Sequence, residues 1–403
     1  MEQLHTYKLA HTIRLYPDKA QETFFKKACG CARMAYNYGL GEYKKQLDAG
    51  QKPKIFDIKK QFNQEKKTLY PWMSETNKDA NQQPFTNLQS AFNRFFKKTA
   101  KFPVFKKKGI KDSFYISNDK FGVEEKKFWI PKLGWVKGAE ELRFKGKITS
   151  ATVKRKANYW FVVVSVETES THAACENQAV VGVDLGIKTL ATLSDGKVIE
   201  SVHPLRKRLG RLKLLQRWLS RKVKGSSNRR KAVQRVSKVH YEVACLRKDV
   251  LDKLTTYLCE NYQVICVEDL NVSGMMKNHK LALSISDMGF GEFRRQLEYK
   301  SILNGNTLIF ADRWFPSSKT CSGCGAVKET LLLSDREYVC ESCGLGINRD
   351  LNAAINLRNY GLEQLRAVSP EVTPVDSEAL ACRAARETTE VEAGILECPV
   401  MST

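Results

Sequence analysis

No apolar run in the 403 residues approaches the roughly 18 to 20 that a bilayer-spanning helix needs. The longest, about eight residues around Tyr159–Val166, is of strand length, and the first residues carry no signal-peptide core. A cytoplasmic protein is expected. Acid is scarce as well: 44 Asp and Glu stand against 67 Lys and Arg, a formal charge of +23. Such an imbalance repels itself unless a polyanion shares the surface, and nucleic acid is the natural partner. A hydrophobic content of 42% excludes a disordered tail or a fibre, and the length admits two to four domains.

The shortage of acid is sharpest in residues 204–248, which hold sixteen Lys or Arg and one acid, Glu242. A solvated helix face normally mixes both signs in i,i+4 pairs, so this stretch is expected to grip a phosphate backbone. Leu205, Leu209, Leu212, Leu215 and Leu219 form one apolar seam. Val233, Val236, Val239, Val243 and Leu246 form another, and Gly225-Ser-Ser-Asn228 lies between, the pattern of a basic helical hairpin. Arg208, Arg211, Arg217, Arg221, Arg229 and Arg230 are its expected nucleic-acid contacts. The opposite bias marks residues 367–403, with seven acids against Arg383 and Arg386, which leaves the body near +28. That acidic tail is expected to be disordered.

Tyr7–Leu15 reads as a strand, and Pro17-Asp18 opens a helix over Ala20–Lys45. Helical spacing returns over Asn81–Lys98, with Leu88, Ala91, Phe92, Phe95 and Phe96 on one face. Short β-like runs follow at Ser113–Ser117, Lys127–Ile130, Leu142–Phe144, Ile148–Lys154 and Trp160–Val166, the texture of a small barrel or sandwich. Val180–Leu185, Ala191–Leu193 and Val198–Ser201 then read as an antiparallel meander that begins a new domain. Gln263–Leu270 and Thr307–Asp312 look like further strands, separated by helical spacing over Gly291–Asn304.

Four of the twelve cysteines fall in two Cys-x2-Cys pairs, Cys321 with Cys324 and Cys340 with Cys343, and Gly325 and Gly344 each follow a pair. Two thiolate knuckles at this spacing close a tetrahedral zinc site, and the glycine lets each knuckle turn tightly. No coordination position stays open, so the metal folds a ribbon and does not catalyse. The other cysteines are scattered, several in apolar contexts such as Cys259 and Cys266, which fits a reducing compartment.

Three acids stand where apolar spacing predicts burial. Asp184 ends Val181-Gly-Val, Glu268 ends Val264-Ile-Cys-Val, and Asp350 lies in Asn348-Arg-Asp-x-Asn-Ala-Ala354 at the start of a helix. Taken singly, an Asp after a strand is commonly a turn or a helix cap. A lone buried acid is costly, however, and three that converge make sense around a cation. Hard oxygen ligands select Mg2+ or Mn2+, and two ions roughly 3.5 to 4 Å apart can drive phosphodiester hydrolysis.

Gly182-Val-Asp-Leu-Gly186, Val267-Glu-Asp-Leu270, Phe315-Pro-Ser-Ser-Lys319, the four-cysteine ribbon and Asn348–Ala354 together resemble the TnpB family. Leu283-Ser-Ile-Ser-Asp287 and Phe293-Arg-Arg-Gln-Leu-Glu-Tyr299 belong to the same pattern, which runs from Arg14-Leu-Tyr-Pro17 to Leu357. The resemblance implies an RNA-guided DNA endonuclease of an insertion sequence, linked in function to a tyrosine transposase and monomeric with its guide RNA. It implies an α/β fold with added small β parts, in five regions. A β-barrel wedge would take residues 1–15 and 102–178, and a helix-turn-helix-like DNA-recognition module 16–101. An RNase-H-like (RuvC) nuclease would take 179–316 and 347–366, a zinc ribbon 317–346, and the acidic tail 367–403. By similarity to the family's Trp-x-Ser-Glu stretch, here Trp72-Met-Ser-Glu75, Lys78 and Gln82 are candidates for reading a transposon-adjacent DNA motif. The protein would act at the nucleoid of a bacterial or archaeal cell.

Two other readings compete. A regulator or transposition accessory would bind DNA without cutting it, and the intact acids oppose that. A transposase would use the same triad with a 3′ hydroxyl as nucleophile in place of water, and product analysis separates the two.

Overall fold

The computed structural model describes residues 5–170, 179–332 and 335–368; the expectation for the tail lies outside them from residue 369 onward. The chain divides into two compact units, residues 1–171 with 223–241 and residues 172–222 with 242–403. No helix among the described residues is long and apolar enough to cross a membrane.

The first unit opens with strand β1 (His5–Leu15) and helices α1 (Lys19–Asp48), α2 (Ile55–Leu69) and α3 (Lys78–Phe96). Asp18 starts α1 through a reciprocal cap: the Gln21 amide donates to Asp18 Oδ1 at 2.8 Å and the Asp18 amide to Gln21 Oε1 at 3.1 Å. Helix α2 is a departure from the sequence reading, which left this stretch without an element. It buries Ile55, Ile58 and Phe62, the last against Tyr38 and Phe85 with ring centroids 5.0 and 5.2 Å apart. On α3 the buried stripe is Phe85, Leu88 and Phe92, and Phe96 is 64% exposed in the final turn.

Strands β2 (Ser113–Ser117), β3 (Gly122–Glu124), β4 (Lys127–Ile130), β5 (Gly134–Lys137), β6 (Lys147–Lys156) and β7 (Tyr159–Ser170) complete two antiparallel sheets, ordered β1-β7-β6-β2 and β3-β4-β5. β1 pairs along its whole length with β7, from His5 opposite Ser170 to Leu15 opposite Trp160. A bridge between Leu15 and Gly138 links the two sheets. Leu142–Phe144 is not a strand: the Arg143 amide donates to His11 Nδ1 at 3.1 Å, so a side chain takes a group that a ladder would have used.

The second unit contains β8 (Val180–Leu185), β9 (Thr189–Leu193), β10 (Val198–Glu200) and helix α4 (Pro204–Ser220). Helix α5 (Ser227–Asn261) belongs to it from residue 242 onward. Then come β11 (Val264–Glu268), α6 (Val272–Met275), α7 (Ala282–Met288), α8 (Phe290–Asn304), β12 (Thr307–Ala311), β13 (Glu337–Val339), β14 (Gly346–Asn348) and α9 (Arg349–Val368). Five strands form one sheet in the order β10-β9-β8-β11-β12. β8 runs parallel to β11 and β11 to β12, whereas β9 and β10 are antiparallel. The uninterrupted apolar character of β8 and β11 follows, because a strand covered on both faces has no solvent side to mark with polar residues.

Helix α9 lies directly on β8. A Cβ on Gly182 would come within 2.0 Å of the Ala354 carbonyl oxygen and 2.4 Å of the Arg358 amide. On the helix side, a Cβ on Gly361 would meet Cys266 Sγ at 1.9 Å. Two glycines thus let backbone and sheet approach closer than any side chain permits. The architecture is a mixed α/β one.

Candidate active site

Strand register assembles the first two acids. Val183 pairs with Val267 in the parallel β8–β11 ladder. The next residues, Asp184 and Glu268, therefore leave neighbouring strands at the same end, at the strand spacing of about 4.8 Å. Asp350 enters from the first turn of α9, where the Asn348 side chain caps the helix by accepting from the Asp350 amide at 3.0 Å and the Leu351 amide at 3.1 Å. Because Gly182 seats that helix on β8, the strand that delivers Asp184 and the helix that delivers Asp350 are held as one body.

The electrostatics of the trio are unfavourable without a cation. Burial pushes the Asp184 carboxyl up to about 8; the charges of Glu268 and Asp350 push the same way, and Arg349 pulls it down. An oxygen-only donor set with one arginine nearby fits a hard divalent ion. Among the described residues, the zinc-type cysteines are the one group whose donor atoms all lie within 4.8 Å of one another.

The cysteines meet as two knuckles related by the same bonding pattern. The Cys321 amide donates to Ala326 O and the Cys340 amide to Leu345 O, both at 2.8 Å, and the amides of Gly325 and Gly344 donate back to Cys321 O and Cys340 O. Both glycines are left-handed, φ +78° and +74°. The sulfurs of Cys321 and Cys343, and of Cys324 and Cys340, are 3.6 Å apart. A tetrahedron with ~2.3 Å Zn–S bonds places sulfurs roughly 3.8 Å apart, whereas a disulfide is near 2.05 Å. The backbone N–H of Cys343 pulls the Cys340 thiol down to about 6 against the effect of burial, with Ser342 helping.

Between ribbon and sheet runs a set of bonds that sequence reasoning had not assigned. Ser317 is buried, and its hydroxyl donates to Glu268. Asn356 donates to Ser317 O at 2.8 Å and Thr320 O at 2.6 Å. Asn352 donates to Thr320 O at 2.7 Å and accepts from the Ser322 amide at 3.0 Å. One face of α9 therefore fixes the chain on both sides of Thr320, including the serine that holds Glu268. The available signal was a pair of asparagines at i,i+4 on an otherwise apolar helix face. Asp269, the residue after Glu268, is bonded by Arg294 and, at 2.6 Å, by Arg313. These arginines hold its carboxyl below the usual carboxylate range.

The basic residues divide among several environments. Arg211, Arg217 and Arg221 on or just past α4 are exposed, as is Arg230 on α5, while Arg208 and Arg229 are half-buried. Arg208 lies 3.7 Å from Glu242, a surface-type ion pair of little strength. The start of α4 is fixed by Asp287, buried, which accepts from the Leu205 and Arg206 amides at 2.9 and 3.0 Å and pairs with Arg247 at 3.4 Å. In the first unit Lys78 is exposed, but the Gln82 amide already donates to Asn63 at 2.7 Å and Asn81 at 2.9 Å. Any base reading by Gln82 would have to displace those bonds.

Residues 162–279 match the OrfB_IS605 family, described as "Probable transposase"; residues 290–357 match a "Cas12f1-like, TNB domain"; and residues 7–52 match its "Helix-turn-helix domain". A Streptomyces pristinaespiralis protein named "Putative RNA-guided DNA endonuclease" is 36% identical over 88% of this chain and 90% of its own length. The "Putative RNA-guided DNA endonuclease InsQ" of Escherichia coli K12 is 32% identical over 90% and 93%. A Cas12f1 chain, solved in a Cas12f1–sgRNA–target DNA complex, superposes with a TM-score of 0.52 at 16% identity, covering 84% of this chain and 83% of that one, a likeness of fold. On the strength of its near full-length relatives, the chain belongs to the TnpB (IS605 OrfB) family.

Proposed function

We propose that this protein is an RNA-guided DNA endonuclease of an insertion sequence, hydrolysing DNA phosphodiester bonds beside a transposon-adjacent motif. The observation that carries the reading is the convergence of Asp184, Glu268 and Asp350: burial, with the neighbouring charges of Glu268 and Asp350 adding to it, lifts the Asp184 carboxyl to about 8. The sheet order β10-β9-β8-β11-β12, with α9 across it, supports an RNase-H-like (RuvC) nuclease domain made of residues 179–316 and 347–366.

Asp184, Glu268 and Asp350 would together hold the catalytic ions. Mg2+ or Mn2+ bound there would supply an activated water and stabilise the leaving 3′ oxygen. This chain's own residues set the geometry: Ser317 orients Glu268, the Asn348 cap orients the first turn carrying Asp350, and Arg349 lends the nearby positive charge. Zn2+ on Cys321, Cys324, Cys340 and Cys343 would fold the ribbon of residues 317–346. Residues 1–15 and 102–178 would form the wedge that holds guide RNA, and residues 16–101 the module facing the adjacent motif, with Lys78 as the freer of the two candidate readers.

Base pairing by a guide explains how a strongly basic protein can choose a sequence without a large set of base-reading side chains. Arg208, Arg211, Arg217, Arg221, Arg229 and Arg230 would follow phosphate backbones. The working particle would be one chain with one RNA, serving an element mobilised by a tyrosine transposase. The test is a purified protein–RNA complex given Mg2+ and plasmid matching the guide. Asp184→Ala is expected to abolish cutting while guided binding persists, and undiminished cutting would refute the triad.

A further inference from the structure

Trp314 is the most exposed of the large hydrophobic side chains among the described residues, at 85%. A single exposed apolar residue is ordinary; what distinguishes this one is how firmly its backbone is held. The turn that carries it is closed by Asp312, whose side chain accepts from the Trp314 amide at 2.8 Å and whose carbonyl accepts from the Phe315 amide at 3.0 Å. On one side Arg313 bonds Asp269, the residue after Glu268, at 2.6 Å. On the other, the Phe315 ring packs on Tyr360 with centroids 4.9 Å apart, and Ser317 bonds Glu268 itself. The turn is tied at both ends to the strand end that carries a proposed metal ligand, and Trp314 is three residues from Ser317, at most about 11 Å of chain.

We propose that Trp314 is a substrate-positioning residue, its indole stacking on a nucleobase of the DNA strand next to the scissile phosphate. The inference rests on the nuclease reading above. Three carboxylates and their cations engage only the phosphate, and nothing in that set holds the adjoining nucleotide in line for attack. A flat aromatic carried on a turn tethered to the Glu268 strand end can supply the missing contact. It does so for any base, since every base offers a π face, as an enzyme whose sequence choice comes from a guide requires. Rigid tethering matters because misplacement by ~1 Å lowers rates steeply.

The test uses the full chain with its guide RNA, target DNA and Mg2+ under single-turnover conditions. Trp314→Ala is expected to cut about tenfold more slowly, the size of one base-stacking contact. RNA retention, target binding and the melting temperature should match wild type, and Trp314→Phe should recover most of the rate. The decisive arm walks an abasic nucleotide across the positions flanking the mapped cut. At one position the missing base should slow the wild type and leave Trp314→Ala no slower than it already is. Wild-type cutting by Trp314→Ala, or equal slowing of both enzymes by every abasic substrate, would overturn the inference. Asp184→Ala run alongside keeps the two questions apart, since cutting by that variant would sink the nuclease reading and not the stacking alone.

Discussion

Asn356 and Ser317, 39 residues apart, are joined by a 2.8 Å hydrogen bond from the asparagine amide to the serine carbonyl, and the hydroxyl of the same serine donates to Glu268. Helix α9 therefore reaches the candidate site twice: directly through Asp350, and indirectly through the loop that aims Glu268. The four-cysteine ribbon and the cluster of three acids share one helical clamp.

Replacing Asn356 by Ala should expose that dependence. The Ser317 carbonyl would lose its donor in a buried setting, at roughly 1 to 3 kcal/mol for an unsatisfied group, while Thr320 O would lose one of two donors and keep Asn352. Thermal melting should fall on the order of 5 °C. Below the melt, Mg2+-dependent cleavage should drop by about tenfold or more, as Glu268 loses its fixed partner. An enzyme with lowered melting but full cleavage would make Asn356 a packing residue alone.

The acids also predict how stability changes with pH. The folded Asp184 carboxyl titrates near 8, far above the ordinary value of 3.8. Its contribution is therefore fully present below pH ~4 and is lost as pH rises through ~8, since the unfolded chain gives up its proton first. In chelator, Asp184→Asn should melt higher than wild type at pH 8.5, and the gap should narrow towards pH 5. Adding Mg2+ should raise the wild-type melt at pH 8.5 and leave the Asn variant nearly unmoved, because ligand binding stabilises only the form that binds it. A gap independent of pH would mean that burial and the neighbouring carboxylates do not raise the Asp184 carboxyl.

What could be read from the sequence follows from what each feature depends on. The paired cysteines and the strands bearing Asp184 and Glu268 are local patterns, and spacing alone reveals them. Helix α2 escaped notice because only Ile55, Ile58 and Phe62 are buried along its 15 residues, too sparse a stripe against the surrounding lysines. Leu142–Phe144 has strand-like composition, but its fate was decided by His11, 132 residues from Arg143. The engagement of Gln82 by Asn63 and the hold of Asp287 on the start of α4 are likewise long-range polar bonds, to which periodicity is blind.

The exposed arginines of α4 yield a measurement in salt. If Arg211, Arg217 and Arg221 each neutralise a phosphate, replacing all three by Ala should flatten the slope of log affinity against log salt by about 2 to 3. The loss should be similar for matched and unmatched DNA, since phosphate contacts position without specifying. An unchanged slope would return these residues to the solvent.

The sharpest structural prediction concerns a single methyl group. Gly182 precedes Asp184 by two residues on β8, and a Cβ there would overlap the backbone of α9 at both Ala354 and Arg358. A side-chain tip can swing away from such a clash, but helix backbone cannot, so Gly182→Ala must push α9 off the sheet. That displacement would separate Asp350 from Asp184 and strain the ribbon that Asn352 and Asn356 hold from the same helix. Loss of several kcal/mol of stability is the expected scale for an overpacked core contact with no room to relax. Gly210→Ala on α4 is the control: nothing lies within 4 Å of its added Cβ, and alanine favours a helix by about 1 kcal/mol over glycine. The first variant should fail to cleave and melt far below wild type, and the second should melt at or above it. A soluble, active Gly182→Ala protein would show that helix and strand do not meet as closely as the candidate site requires.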